Sequence, residues 1–141
     1  MPFKLISRPD PAPKQFLVTN NEAIKYGQCV KFVNGRVTAA GPTDAVAGVA
    51  QHDVEPGTDK TVWVILVDPE QDWEVEYVGT PAAGFVVGAN AVALNAANNP
   101  AGAVAGIYLD AATVTGGPCA VVKIDSAAKK AVVKFKNRQL T

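Results

Sequence analysis

Short runs of β-branched and apolar residues recur along this chain, and each run ends at Gly, Pro, Asn or Asp. The spacing of apolar residues that predicts a helix is almost absent. Runs of this length, separated by turn residues, are typical of β-strands. We therefore predict an all-β protein, a small β-barrel or β-sandwich, whose strands cover residues 28–33, 36–40, 45–51, 60–67, 73–78, 91–95, 106–110, 119–125 and 131–137.

Asn34-Gly35 separates the first two of these runs. A type I′ turn needs positive φ at both of its central residues, and Asn and Gly adopt that conformation at the least cost. The dipeptide therefore predicts a tight hairpin. A second hairpin is predicted around residues 126–130, where a single helical turn is the alternative.

Two of the predicted strands differ in how their faces are used. In residues 73–78 (WEVEYV), apolar side chains alternate with Glu74 and Glu76, which predicts one buried face and one exposed face. Residues 60–67 (KTVWVILV) show no alternation. This pattern predicts a central strand that is covered on both faces.

The first 21 residues contain Pro9, Pro11 and Pro13 and differ from the rest of the chain. Proline removes backbone donors and favours extended geometry, so we predict an extended N-terminal arm over residues 1–21 rather than a core strand. A single β domain follows over residues 22–141, a length that one core can support. A basic arm with apolar anchors is expected to order against a neighbouring molecule, and a disordered terminus is the alternative. The candidate partner-binding residues are Phe3, Leu5, Ile6, Arg8, Lys14 and Phe16.

Charge is unevenly distributed although the formal net charge is zero. Residues 1–31 carry five Lys/Arg and two Asp/Glu, residues 32–118 carry two and ten, and residues 119–141 carry six and one. The resulting charges of +3, −8 and +5 fit end strands that pair with the middle, ends and middle that face different partners, or simply solvated strand faces. Nucleic acid is not expected as a partner, because the sequence pI of about 6.6 is not high and the basic C-terminal segment contains no aromatic residue beyond Phe135.

Residues 78–122 contain a single Asp, Glu, Lys or Arg, which is Asp110. A soluble monomer seldom exposes so long a stretch without charge, so part of it is expected to contact another subunit or a partner. Exposed loops of small residues are the alternative.

The only histidine, His52, stands beside Asp53 and three positions before Glu55. In a strand, His52 and Asp53 point to opposite faces, so we expect a solvent-facing histidine at a strand end rather than a metal or acid/base site. Cys29 and Cys119 are too far apart for a CxxC pair or a zinc knuckle, and they are expected to be buried, reduced thiols, with a disulfide as the alternative. We predict no catalytic residue, no cofactor and no metal.

No apolar run is long enough for a membrane helix, and the N-terminus has no apolar segment typical of a secretory signal. We therefore expect no membrane partner and synthesis in the cytoplasm.

One succession of short motifs carries a family resemblance. Asn34-Gly35 and its flanking strands are followed by a polar turn, Gly48-Val49-Ala50, Pro56-Gly57 and Val62-Trp63-Val64, and later by VVGANAVAL at residues 86–94. This order, over about residues 25–110, resembles the small head-decoration, or cement, proteins of tailed bacteriophages. The Pro-rich arm departs from that pattern.

The resemblance implies a β-barrel or β-sandwich, jelly-roll-like or β-tulip-like, that binds the outside of an icosahedral phage head between capsomers. It implies the major capsid protein as a partner, self-association as a homotrimer or homodimer, a place on the virion exterior, and no enzymatic activity. A carbohydrate- or receptor-binding β module is the alternative. Such a module would place exposed aromatic residues on one face, whereas Trp63, Trp73 and Tyr77 are expected to be buried or in alternating strands.

Overall fold

A computed structural model of the chain describes residues 3–7, 12–93 and 107–140. These residues form two β-sheets. The strands are β1 Lys4–Leu5, β2 Lys14–Leu17, β3 Cys29–Val33, β4 Arg36–Ala39, β5 Gly48–Ala50, β6 Thr61–Leu66, β7 Trp73–Val78, β8 Asn90–Ala93, β9 Leu109–Asp110, β10 Cys119–Asp125 and β11 Lys130–Phe135. The described residues contain no helix, and so none that could span a membrane. The all-β prediction is confirmed.

The first sheet is a closed five-stranded barrel with one extra strand. Its order is β1-β7-β11-β10-β8-β9, and β9 also pairs in parallel with the end of β7, which closes the circle. Strand β1 is the extra strand and pairs with the beginning of β7. Closure removes most of the unpaired edges that an open sheet would present to other chains.

The second sheet has the order β2-β6-β5-β3-β4. A parallel bridge between Val18 and Val37 joins its two outer strands. Each strand pairing of this sheet involves four residue pairs or fewer, so side-chain packing must contribute much of the stability.

The described residues form two apolar clusters. The larger contains residues of both sheets, including Trp73 and Phe135 from the barrel and Cys29 and Val49 from the second sheet. The smaller lies on the opposite face of the second sheet, around Val30, Val37, Val62 and Val64. The second sheet is therefore apolar on both faces.

Both predicted hairpins are present. Asn34 and Gly35 connect β3 to β4 with φ of 52° and 77°, as the type I′ turn requires. The second hairpin joins β10 to β11 through residues 126–129, with Lys129 at φ 54°. In β7 the apolar side chains are buried and alternate with Glu74 and Glu76, as predicted.

The predicted strand 60–67 differs from expectation. Strand β6 is central, between β2 and β5, but Trp63 is 44% exposed, so the prediction that both faces are covered is wrong for the first half of the strand. On the face of β6 that carries Trp63 and Ile65, only Ile65 belongs to the larger apolar cluster. Other strands differ in length: β5 is limited to Gly48–Ala50, and Val46 instead forms a bridge with Arg138. Parts of the predicted strands 91–95 and 106–110 lie outside the described residues.

The N-terminal residues are extended, as predicted, but they pair with the chain's own sheets. Strand β1 joins the barrel and β2 joins the second sheet. Phe3 is 1% exposed and its ring lies 5.4 Å from that of Phe135. The expectation that residues 1–21 contribute no core strand is therefore corrected, because Phe3 and Val18 bury apolar surface that a free arm would expose.

Candidate functional site

Three of the six predicted partner-binding residues are placed in ways that limit contact with another molecule, and a fourth lies outside the described residues. Phe3 is buried, and Leu5 packs partly against the larger cluster. Phe16 packs partly against the smaller cluster, 4.8 Å from the ring of Phe32, and Arg8 lies outside the described residues.

Ile6 and Lys14 remain exposed. They belong to different sheets, because Ile6 follows β1 and Lys14 begins β2. The five of these residues that the structure describes do not form one surface.

His52 is held by hydrogen bonds from both ring nitrogens. Nε2 accepts a bond from the backbone N–H of Trp63 at 3.1 Å, and Nδ1 lies 3.0 Å from the carbonyl oxygen of Asp53. With Nε2 as the acceptor, the tautomer that carries its proton on Nδ1 satisfies both contacts. The ring thus links the bend after β5 to β6, a structural role.

Asp53 does not converge with His52. Its Oδ1 accepts a bond from the backbone N–H of Tyr26 at 2.8 Å, which ties the segment before β3 to the bend after β5. No group of three or more His, Cys, Asp or Glu side chains that could hold a metal ion occurs among residues 3–7, 12–93 and 107–140.

Cys29 and Cys119 come from different sheets and meet in the larger cluster. Both thiols are buried and unpaired, as predicted. Burial raises the pKa of both thiols, and for Cys29 the neighbouring Cys119 raises it further. Since the thiolate is the nucleophile, both groups are held in their unreactive form.

Charged side chains pair across the barrel. Lys4 stands opposite Glu74 in the β1–β7 pairing, Lys130 Nζ lies 3.9 Å from Glu74 Oε1, and Lys134 Nζ lies 2.7 Å from Asp72 Oδ1. The basic ends of the chain therefore pair with its acidic middle, the first of the arrangements expected from the charge distribution. Because these pairs are partly exposed, each contributes little to stability.

A small depression lies on this charged face, lined by Glu74, Lys123, Asp125, Lys130, Ala131 and Val132. Its volume of about 80 Å³ is below the range of roughly 300–1,000 Å³ typical of small-molecule sites.

Residues 79–89, the first part of the charge-poor stretch, form a loop that packs beside β10 and that we call the valine loop. Gly88 N–H donates to the carbonyl of Val121, and Val121 N–H donates to that of Ala89. Val86 and Val87 are 54% and 65% exposed. Asp110, the one charged residue of the stretch, is fully buried, so no Asp, Glu, Lys or Arg side chain is exposed in the described residues 79–93 and 107–122.

A second exposed surface contains Trp63, and sequence analysis missed it. In β6, Val62 and Val64 face the smaller cluster while Trp63 points to the other face. Gln15 on β2 is directly opposite Trp63, and Gln51, whose N–H donates to the Trp63 carbonyl, is opposite on the other side. Paired residues of neighbouring strands share a face, so the side chains of Gln15 and Trp63 lie together, and Gln51 adjoins Trp63 through its backbone bond. We call these three residues the Gln–Trp–Gln row.

The signal for this row was present in the sequence. Val62 and Val64 alternate with Thr61 and Trp63, but the apolar residues that follow Val64 hide the period. The partners of Trp63 could not be found from the chain alone, because Gln15 is 48 positions away and pairs with it only through the sheet.

Comparison with protein-family models found no match to this chain, and comparison with curated proteins found none either.

Proposed function

We propose that this chain is a structural decoration protein that binds the outer surface of an icosahedral phage head between capsomers and stabilises it. It acts as a homo-oligomer on the virion exterior, with the major capsid protein as its partner and without enzymatic activity. The family resemblance in the order of residues 25–110 motivates this proposal.

The observation that carries the proposal is the valine loop. An uncharged surface loses little electrostatic free energy when it is desolvated, so it is suited to a large contact with another protein. Exposed Val86 and Val87 supply apolar area to that contact. The loop is held against the barrel by backbone hydrogen bonds, so little conformational entropy is lost on association.

A decoration protein acts by mass action. Ligands that bind only the assembled shell stabilise it in proportion to their occupancy. When each oligomer contacts several shell subunits, weak individual contacts add to a high overall avidity.

Co-sedimentation with expanded, undecorated heads of the phage that encodes the chain tests the proposal. We expect the chain to elute as an oligomer and to sediment with the heads, and Val87→Lys to weaken either the oligomer or head binding. Val33→Lys is the matched control, since Val33 is 46% exposed but lies between Lys31 and Arg36 on the other sheet. The proposal would be contradicted if the chain eluted as a monomer and did not sediment with the heads, or if Val87→Lys and Val33→Lys had equal effects.

A second candidate function is a carbohydrate- or receptor-binding β module. Trp63 favours it, because this ring is exposed rather than in the core, while Trp73 and Tyr77 are buried.

A further inference from the structure

We propose that the Gln–Trp–Gln row is a binding site for neutral oligosaccharides, whose sugar rings pack on Trp63 and whose hydroxyl groups bond to Gln15 and Gln51. The inference rests on the second candidate function and does not depend on shell binding.

The indole of Trp63 supplies a flat apolar platform. It is 44% exposed although β6 is an interior strand of its sheet, with β2 on one side and β5 on the other. One face of a pyranose ring carries mainly C–H groups, which pack on an aromatic ring in the way that other apolar groups do. The exposed indole leaves apolar surface in contact with water, which is unfavourable. A sugar ring packed on it would bury that surface.

The two glutamines supply hydrogen bonds on either side of the platform. Each amide has two donors and an accepting oxygen, which matches a pair of neighbouring sugar hydroxyls. The Gln15 amide donates to Thr61 Oγ1 at 3.1 Å, and the Gln51 amide donates to the Val49 carbonyl at 2.9 Å. These bonds restrict both side chains before a ligand arrives, which lowers the entropy cost of binding.

The length and charge of the row indicate the ligand class. Three adjacent strands span roughly 10 Å, about the length of a disaccharide lying across the strands. The side chains of the row, and Thr61 and Leu17 beside it, carry no ionisable group. An anionic ligand would find no cation in the row, whereas a neutral, hydroxyl-rich chain finds both an apolar face and amides.

Tryptophan fluorescence offers a direct assay, because the chain has only two tryptophans and Trp73 is 1% exposed. The full chain would be titrated with maltohexaose, cellohexaose, chitohexaose and mannohexaose up to millimolar concentration. We expect at least one to saturate and to shift the emission to shorter wavelength, since a bound sugar removes water from Trp63. No change with any of the four would overturn the proposal.

Variants locate the binding. Trp63→Ala should abolish it, measured by calorimetry, and Gln15→Ala or Gln51→Ala should each weaken it about tenfold, the effect of one lost hydrogen bond to a ligand. Tyr26→Ala is the matched control, because Tyr26 is 45% exposed and lies outside the row. The two glutamine variants also serve if Trp63→Ala does not fold.

Two further results would count against the site. Binding that survives Trp63→Ala, or that Tyr26→Ala removes equally, would place the sugar elsewhere. Loss of head binding by Trp63→Ala without any sugar effect would identify the row as a protein contact. Because sugar titration and head co-sedimentation are separate measurements, failure of this inference leaves the shell-binding proposal to its own test.

Discussion

At the scale of single residues, the backbone geometry at Gly48 sets a strict requirement. Gly48 stands opposite Leu66 in the antiparallel pairing of β5 with β6. A Cβ placed there would lie 2.4 Å from Val64 Cγ1 and 2.6 Å from the carbonyl oxygen of Ile65. The first residue of the Gly48-Val49-Ala50 motif is thus needed for the approach of two strands, whatever its meaning for a family.

We therefore predict that Gly48→Ala destabilises the fold by about 1–3 kcal/mol, the usual cost of overpacking. The free energy of unfolding in urea measures it. Gly57→Ala is the control, because its Cβ would meet only the flexible side chain of Lys60, and its effect should stay within about 0.5 kcal/mol. Similar effects of the two variants would show that β5 and β6 can separate freely.

The two thiols give a prediction of a different kind. Burial raises the pKa of Cys29 and Cys119, so at pH 8 they stay protonated in the folded protein, while unfolded thiols, with a pKa of about 8.5, ionise in part. We expect a chromogenic disulfide reagent to detect no thiol in the native chain and both thiols in urea. Because the pKa of each thiol is higher in the folded than in the unfolded chain, the stability linked to keeping the thiols protonated is fully present below the unfolded pKa. It declines as pH rises above that value. Rapid native labelling would contradict the described burial.

At the scale of elements, local chemistry explains which parts of the fold could be predicted. The β3–β4 and β10–β11 hairpins follow from turn residues that act within a few positions. The pairing of Leu5 with Trp73 and of Gln15 with Trp63 joins distant parts of the chain, and no local pattern specifies it. The exposure of Trp63 depends on where the barrel ends, which is also a tertiary property.

The turn between β4 and β5 is stabilised by Asp44. Its Oδ2 accepts bonds from Lys31 Nζ and from Gly41 N–H, both at 2.7 Å. The bond from Lys31 and then the bond from Gly41 lower the pKa of Asp44 below its usual value. A lowered folded-state pKa gives stability that is present above the unfolded pKa and is lost as pH falls through the folded one.

We predict that Asp44→Asn lowers stability at pH 7 and flattens the acid limb of the stability–pH profile, measured by urea unfolding between neutral pH and acid. Asp125→Asn is the control, since Asp125 is the exposed last residue of β10 and accepts a backbone bond from Ala128 without an ion pair among the described contacts. Parallel acid limbs for wild type and Asp44→Asn would contradict the prediction.

The C-terminal residues connect the two sheets. The Gln139 side chain accepts a bond from Phe32 N–H at 2.7 Å and donates one to the Phe32 carbonyl at 2.8 Å. Its amide therefore makes the two hydrogen bonds that a paired residue of a neighbouring strand would make to Phe32. Backbone bonds from Val46 to Asn137 and from Gln139 to Val46 continue this contact.

We expect Gln139→Ala to increase hydrogen exchange of the Phe32 amide, because its acceptor is removed, and to cost about 0.5–1.5 kcal/mol at most. Amide exchange followed by NMR distinguishes a local from a global effect. Amides of β7, on the other sheet, should keep their protection, and a uniform increase would show that the contact is not local.

At the scale of the whole molecule, the N-terminal segment connects the two sheets at the opposite end of the sequence. Strand β1 lies on the barrel and β2 in the second sheet, so residues expected to reach toward a neighbour instead complete the chain's own fold. The proline spacing predicted extended backbone, and extended backbone also describes the strands β1 and β2 on either side of the proline-containing segment. What separated the two outcomes was the burial of Phe3 between the sheets, which depends on Phe135 and could not be foreseen from local sequence.

This placement predicts that Phe3 contributes to stability far more than its position near the terminus would suggest. Phe3→Ala removes an aromatic ring that packs on Phe135, which in turn packs on Trp73 at 5.8 Å. We expect a loss of about 3–5 kcal/mol, as for other buried Phe→Ala changes, and a cooperative transition at lower urea concentration. Ile6→Ala, at a side chain 45% exposed beyond the same strand, should change stability by less than about 1 kcal/mol. Two results would contradict this prediction: an effect of Phe3→Ala as small as that of Ile6→Ala, or unchanged stability after deletion of residues 1–18. Either would show that the segment is an arm separable from the fold and free to contact another molecule.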